Sequence, residues 1–156
     1  MKAKEIAALI EEFAPSSTQE AWDNSGFCIG NGEEEVHGVM VGFDCTAALV
    51  REAAQRGADM IVTHHPLIFG GLKCIDPCDP VGEAVFEAVR RGVVVYSAHT
   101  NADKADGGVN ALMAARLRLE ECRPLDESRL CLVGNLGTDV DFHAVAHVEH
   151  LVHLAP

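Results

Sequence analysis

Basic side chains are scarce: 12 Lys and Arg stand against 24 Asp and Glu, a formal net charge of −12 over 156 residues. No basic cluster exceeds Arg90-Arg91. Such a chain has little with which to neutralise phosphates, which argues against a nucleic-acid backbone or an anionic membrane surface as partner. No apolar run approaches the roughly 18 residues of a membrane span, and Met1-Lys2-Ala3-Lys4-Glu5 leads straight into an amphipathic pattern, so no signal peptide is expected. There is no glycine-rich phosphate-cradling loop, no internal repeat and no low-complexity segment. The cysteines, at 28, 45, 74, 78, 122 and 131, include no Cys-x-x-Cys pair. Cys74-x3-Cys78 has no further ligands nearby for a structural zinc, so free thiols in a reducing cytoplasm are expected. Excess carboxylate suits a protein that collects divalent cations.

Hydrophobic content of 48% and charged content of 23% are those of an ordinary globular protein, with chain enough for a proper core. Residues 3–13 space Ile6, Leu9, Ile10 and Phe13 helically, and Pro15 closes that helix. Ala21-Trp22-Asp23-Asn24-Ser25-Gly26 reads as a turn-rich loop pinned by the only tryptophan. Val36 to Phe43 reads as a strand ending at Asp44. Thr46 then caps a helix over 47–56, which Gly57 stops. Met60 to Thr63 is the next strand, and the apolar loop Pro66 to Gly71 after it suits a lid or an oligomer contact. Asp79 caps and Pro80 opens a helix through Arg91, ended by Gly92. Val93 to Tyr96 is a third strand, and Gly107-Gly108 precede a helix over 109–117. The pattern loosens from Leu119 to Asp126, Leu130 to Val133 suggests a further strand, and Phe142, Val145, Val148 and Val152 mark a helix over 141–154.

Alternating strands and helices with short Gly-marked turns predict an α/β fold, a mostly parallel sheet with helices on both faces. Right-handed crossovers would align the C-terminal ends of the strands along one edge, where such sheets bind ligands. Residues 1–126 are expected to form this domain, and 127–156 the start of a second element. Polar titratable groups recur at that edge: Asp44, the His64-His65 pair, and His99 to Asp103. Pro66 cannot donate to a ladder and favours extended geometry at His65, so the strand ends at the paired histidines. Adjacent residues of extended backbone point to opposite sides, which suits reaching two ions better than chelating one.

Three imidazoles and a carboxylate form a mixed N/O set suited to Zn, Mn, Fe, Co or Ni. The expected metal site therefore lies at the C-terminal edge of the strands and comprises His64, His65, Asp103 and His99. Asp44 competes between this role and that of a turn or capping residue. Cys45 has no histidine tied to it and reads as structural. His143, His147, His150 and His153 lie largely on one helical face, which a solvated polar surface explains as well as ligation does.

Trp22-Asp23-Asn24-x-Gly26, Thr63-His64-His65-Pro66-Leu67-Ile68-Phe69 and Ser97-x-His99-Thr100-Asn101-x-Asp103 occur in this order, within a likeness that covers about residues 1–135. Together they resemble the dinuclear-metal family of GTP cyclohydrolase 1 type 2 homologues, the NGG-interacting-factor-like proteins. The resemblance implies a toroidal homohexamer of α/β subunits with two divalent ions in each. His64 and His65 then go to different metals, Asp103 is a ligand, and His99 is a further ligand or the partner of one. It also implies a metal-dependent hydrolase in which activated water attacks a nucleotide or related small molecule. The rival reading is a metal-binding assembly or regulatory protein without turnover. The family pattern continues to a C-terminal His-x3-Glu that this sequence lacks, since His147-x-Glu149 has the wrong spacing. The chain is therefore expected to lack the C-terminal part of the family pattern and two of its ligands, as a truncated product, a shortened gene or half of a site that another polypeptide completes.

Overall fold

The helix-forming pattern near the N-terminus becomes α1 (Ala3–Phe13) in the computed structural model, which describes residues 1–137. The side of α1 that is buried differs from the expected stripe: Ala3 and Ala7 are buried, whereas Leu9 and Phe13 are exposed. The Tyr96 hydroxyl donates to Glu11 at 3.0 Å, which turns the Glu11 side of the helix towards the sheet. The helix expected over 141–154, with its four histidines, lies outside the described residues.

The chain divides into two compact units, one of Met1–Ala102 and one beginning at Asp103. In the first, β1 (Gly26–Ile29), β2 (Val39–Gly42), β3 (Met60–Thr63) and β4 (Val94–Ser97) form one sheet in the order β1-β4-β3-β2. β2, β3 and β4 are parallel neighbours, with Met40, Ile61 and Val95 in register, and β1 joins the edge antiparallel to β4. This is the mixed α/β sheet flanked by helices that the alternating pattern predicts. β1 falls in and after the stretch read only as a loop. Its four residues are too short for a periodicity signal, and pairing with β4 supplies what local propensity does not.

α2 (Ala47–Gln55) and α3 (Pro80–Arg91) cover one face of the sheet. Their boundaries follow from local chemistry. Thr46 accepts the Leu49 amide at 3.1 Å, and Asp79 accepts those of Val81 and Gly82 at 3.0 and 3.1 Å. Such caps satisfy amides that have no intrahelical partner. Gly92 ends α3 at φ 67°, the left-handed conformation that glycine adopts without a Cβ penalty. Small side chains, Ala47, Ala53, Ala84 and Ala88, join Val50, Ile61, Val85 and Val95 in the core. Each fully buried Val or Ile there stabilises by about 1.5–3 kcal/mol through surface removed from water. Arg51 of α2 pairs with Glu83 and Glu87 of α3 across the outer side of the two helices.

The second unit carries α5 (Val109–Arg116) and an antiparallel hairpin of β5 (Leu119–Pro124) and β6 (Leu132–Leu136). β5 lies where the sequence pattern loosens. Its side chains are mostly exposed, so no apolar alternation marks it, and its register shifts between Glu120 and Arg123. The expected strand at 130–133 begins two residues later, because Leu125 and Cys131 close the turn by a backbone bond of 2.9 Å. The short α4 (Thr100–Lys104) follows β4. Among the described residues no helix is long and apolar enough to cross a membrane.

Candidate metal centre

β3 is buried at Met60, Ile61 and Thr63, and the chain leaves it at a bend over His64 and His65. Thr63 fixes that bend: its hydroxyl donates to the His65 carbonyl at 2.8 Å. The His65 amide turns to the Phe43 carbonyl at 3.1 Å, beyond the end of β2. The strand alternation that would send the two rings apart therefore stops at Thr63. The ring centroids of His64 and His65 lie 5.1 Å apart, and His99 sits 5.0 Å from His64 and 5.5 Å from His65. One ligand atom from each of the three imidazoles lies within 4.8 Å of the other two.

His99 reaches this cluster because β4 ends beside β3 and the following turn is pinned to residues 14–25. Asn101, fully buried, donates to the Ala14 carbonyl at 2.7 Å and accepts from the Ser25 hydroxyl at 2.8 Å and the His99 amide at 2.9 Å. Thr100 accepts the Glu20 amide at 2.9 Å and donates its hydroxyl to Asp23. Asp23 also accepts the Thr100 amide at 3.0 Å and pairs with His99 Nδ1 at 2.8 Å. Burial pushes the Asp23 carboxyl up. The hydrogen bonds from the Thr100 hydroxyl, His99 and the Asn24 and Thr100 amides outweigh it and hold the group at about 2. Asp23 is thus a carboxylate at neutral pH.

Each imidazole is oriented through its Nδ1. His99 meets Asp23, His65 meets Asp44 Oδ1 at 2.7 Å, and His64 meets the Ala98 carbonyl at 3.2 Å. A carbonyl or carboxylate oxygen accepts, so each Nδ1 carries the hydrogen and the neutral ring's lone pair falls on Nε2. That tautomer is the one a metal ligand needs, and oxygen partners of this kind raise ligand basicity. The chemistry of the donor set therefore fits a divalent ion.

Sequence reasoning placed His64, His65 and His99 together, and the structure brings them into one cluster. Asp103, the remaining expected ligand, lies on α4 four residues after His99 and is the first residue of the second unit. Asp44 is not the cap of α2, which is Thr46, but the partner of His65. Cys45 is buried, and burial pushes its thiol up to about 12, so it is no nucleophile at neutral pH. All six cysteines are free. Asp23 was read as a turn residue. The signal for its role was its motif, since Asp23 to Ser25 and His99 to Asn101 are two halves of one hydrogen-bond network. Trp22, expected to pin its loop, is 57% exposed, and its ring lies 6.5 Å from His99. The pair Arg51 and Glu83 also went unremarked in the sequence. They line a cleft of about 430 Å³ with Asp44, Thr46, His65 and Leu67.

The fold and the cluster together define a metal-binding α/β protein whose histidines follow the strand ends. The particular family follows from comparison with known proteins: residues 1–154 match the model of the Duf34/NIF3 (NGG1p interacting factor 3) family, and the chain belongs to it. A GTP cyclohydrolase 1 type 2 homolog of Clostridium perfringens is 30% identical over 154 residues, covering 99% of this chain and 59% of that protein. The homolog of Bacillus subtilis is 37% identical over 125 residues, 80% of this chain and 34% of its own length. Among solved structures, reduced HcgD from Methanocaldococcus jannaschii superposes with a TM-score of 0.83 at 29% identity, covering 97% of this chain and 60% of that one. A Bacillus cereus protein related to NIF3 gives 0.77 at 36% identity over 81% of this chain and 35% of that one. The chain thus spans between about a third and three-fifths of the length of these relatives.

Proposed function

We propose that this chain is a divalent-metal protein of hydrolase type, holding its ions through His64, His65 and Asp103, with His99 as a further ligand or the partner of one. The observation that carries the reading is the common orientation of three clustered imidazoles, each with its Nδ1 held by an oxygen acceptor. A divalent ion there supplies Lewis acidity and activates water for hydrolysis. The chain's own part is to fix the rings. Asp23 and Asp44 hold His99 and His65 in the ligating tautomer, while Thr63 holds the bend that turns His64 and His65 towards each other. The name shared by the relatives, GTP cyclohydrolase 1 type 2 homolog, supports a nucleotide or a related small molecule as the substrate class in this reading. In this reading residues 1–126 form the metal-binding part, residues 127–156 begin a second element, and the protein works in the cytoplasm as a homo-oligomer, a hexamer of two-ion subunits.

A second reading is a metal-binding assembly or regulatory protein without turnover. The donor count favours it: three imidazoles and one carboxylate fill one tetrahedral ion and leave a pair of ions short of ligands. Elemental analysis of the purified chain, followed by a hydrolase screen with Mn, Co or Zn added, separates the two. Metal near stoichiometric with activity rescued by added ions supports the hydrolase. Metal without activity supports the second reading, and less than about 0.2 ion per chain with no rescue sinks both.

A further inference from the structure

Eight aromatic residues occur in the whole chain, and three of them gather round the histidine cluster from separate segments. Phe43, just beyond β2, stacks on His64 at 5.1 Å and 24° and meets His65 edge-on at 4.5 Å. Phe69, in the loop after β3, lies 6.0 Å from His99 at 89°, and Trp22 lies 6.1 Å from Phe69. The Asn24 side-chain Nδ2 donates to the Ile68 carbonyl at 2.6 Å and ties the Trp22 turn to the Phe69 loop. None of the three rings is packed away: Phe43 is 59%, Trp22 57% and Phe69 52% exposed. Leaving half of each scarce ring in water beside a polar cluster forgoes burial that these side chains ordinarily provide.

The charges around the cluster narrow what such a collar receives. Asp23 and Asp44 bring two carboxylates. Among the described residues the only Lys or Arg lining the adjoining cleft is Arg51, already paired with Glu83 and Glu87. The side chains at hand therefore offer a phosphate little, whereas flat π-faces stack on aromatic rings whatever their substituents.

We propose that Phe43, Phe69 and Trp22 form a docking collar for a flat, uncharged heteroaromatic ring, seated over His64, His65 and His99. This rests on the reading of the site as one that handles a small-molecule substrate, and it names the part of that substrate the protein grips. Recognition by the ring rather than by charge also means that a phosphate tail adds no affinity in the absence of metal.

Trp22 is the only tryptophan, so its emission reports on the collar alone. The metal-free full chain is titrated with guanosine, with GTP and with ribose 5-phosphate, correcting for absorbance. Guanosine is expected to quench saturably, GTP to bind no tighter, and ribose 5-phosphate to leave the emission unchanged. Phe43→Ala and Phe69→Ala each weaken guanosine about tenfold, the scale of one stacking partner lost, and Phe43→Tyr restores it. Circular dichroism and sedimentation of each variant accompany the titrations. No saturable quenching by guanosine, an affinity in both alanine variants unchanged from that of the unmodified chain, or a match by ribose 5-phosphate overturns the proposal. So does an unquenched protein whose sedimentation falls in the alanine variants, which assigns the collar to contacts between copies of the chain. Quenching needs neither metal nor turnover. An inactive protein that still binds guanosine refutes the hydrolase alone, and an active one that fails to bind it refutes the collar alone.

Discussion

Asp23 Oδ1 and His99 Nδ1 lie 76 residues apart in sequence and 2.8 Å apart in space. The pair joins a turn before β1 to the turn after β4, and the same carboxylate also takes the hydroxyl and amide of Thr100. Asp23→Asn keeps the shape but puts an amide where four donors need acceptors. The expected cost is about 2–3 kcal/mol of stability, the scale of a buried, charge-assisted network broken at one end. Because His99 loses the partner that sets its tautomer, affinity for added Zn or Co is expected to fall about 10–100-fold. Urea unfolding and competition titration measure the two separately. Unchanged metal affinity with full loss of stability would leave Asp23 a purely structural residue.

The N-terminal helix offers a cleaner case for pH, away from the cluster. The Lys2 and Lys4 side chains hydrogen-bond Glu33 and hold its carboxyl at about 2, below the ordinary 4.5. Its folded value is depressed, so the unfolded chain takes up the proton first on acidification. The contribution is present above about pH 4.5 and is lost as pH falls towards 2. All three side chains are exposed, so the effect is small and screened by salt. Glu33→Gln is expected to flatten the acid limb of a stability-versus-pH curve at low ionic strength. The difference from the unmodified chain should vanish at about 1 M salt. A gap between the two curves that survives the salt would contradict the assignment.

Gly82 carries a steric constraint that composition alone conceals. It sits in the first turn of α3, where a Cβ would come within 2.0 Å of the Asp76 carbonyl oxygen, a backbone atom. The loop before the helix packs directly on that position, and Asp79 caps the helix through the Gly82 amide. Gly82→Ala would ordinarily favour a helix. Here it is expected to destabilise by about 3 kcal/mol, because the loop must move or the cap must break. A stabilised variant in thermal unfolding would refute this packing.

Where sequence and structure agree, the signal was local and chemical. Thr46, Asp79, Pro80 and Gly92 each fix a helix end through a bond or a dihedral that the residue type dictates. β3 was legible because Met60 to Thr63 is an apolar run that Pro66 forces to a close. What escaped was set by tertiary partners. β1 exists because β4 pairs with it, Asp23 matters because Thr100 and His99 arrive beside it, and the exposure of Trp22 and Phe43 cannot be read from their identity. The direction of His64 and His65 failed for an instructive reason. Alternation ends with the strand, and the Thr63 hydroxyl bends the chain one step beyond it.

The ligand assignment itself is open to a paired substitution. His65 is partly exposed and outside the core, held by Asp44, the Phe43 carbonyl and an edge-on contact with the exposed Phe43 ring rather than by buried side chains. Removing its ring deletes a donor without opening a cavity among buried side chains. Asp103 is carried on α4 outside the sheet. His65→Ala and Asp103→Ala are each expected to lower bound metal by about tenfold or more at limiting ion concentration. Helical content should stay near that of the unmodified chain, because a core of Val50, Ile61, Val85 and Val95 does not depend on an ion. Elemental analysis and circular dichroism on the same preparations give both quantities. Loss of fold in His65→Ala would mean that the ring is a structural support. Full metal content in Asp103→Ala would remove that residue from the ligand set and leave the three imidazoles as the whole of this chain's contribution.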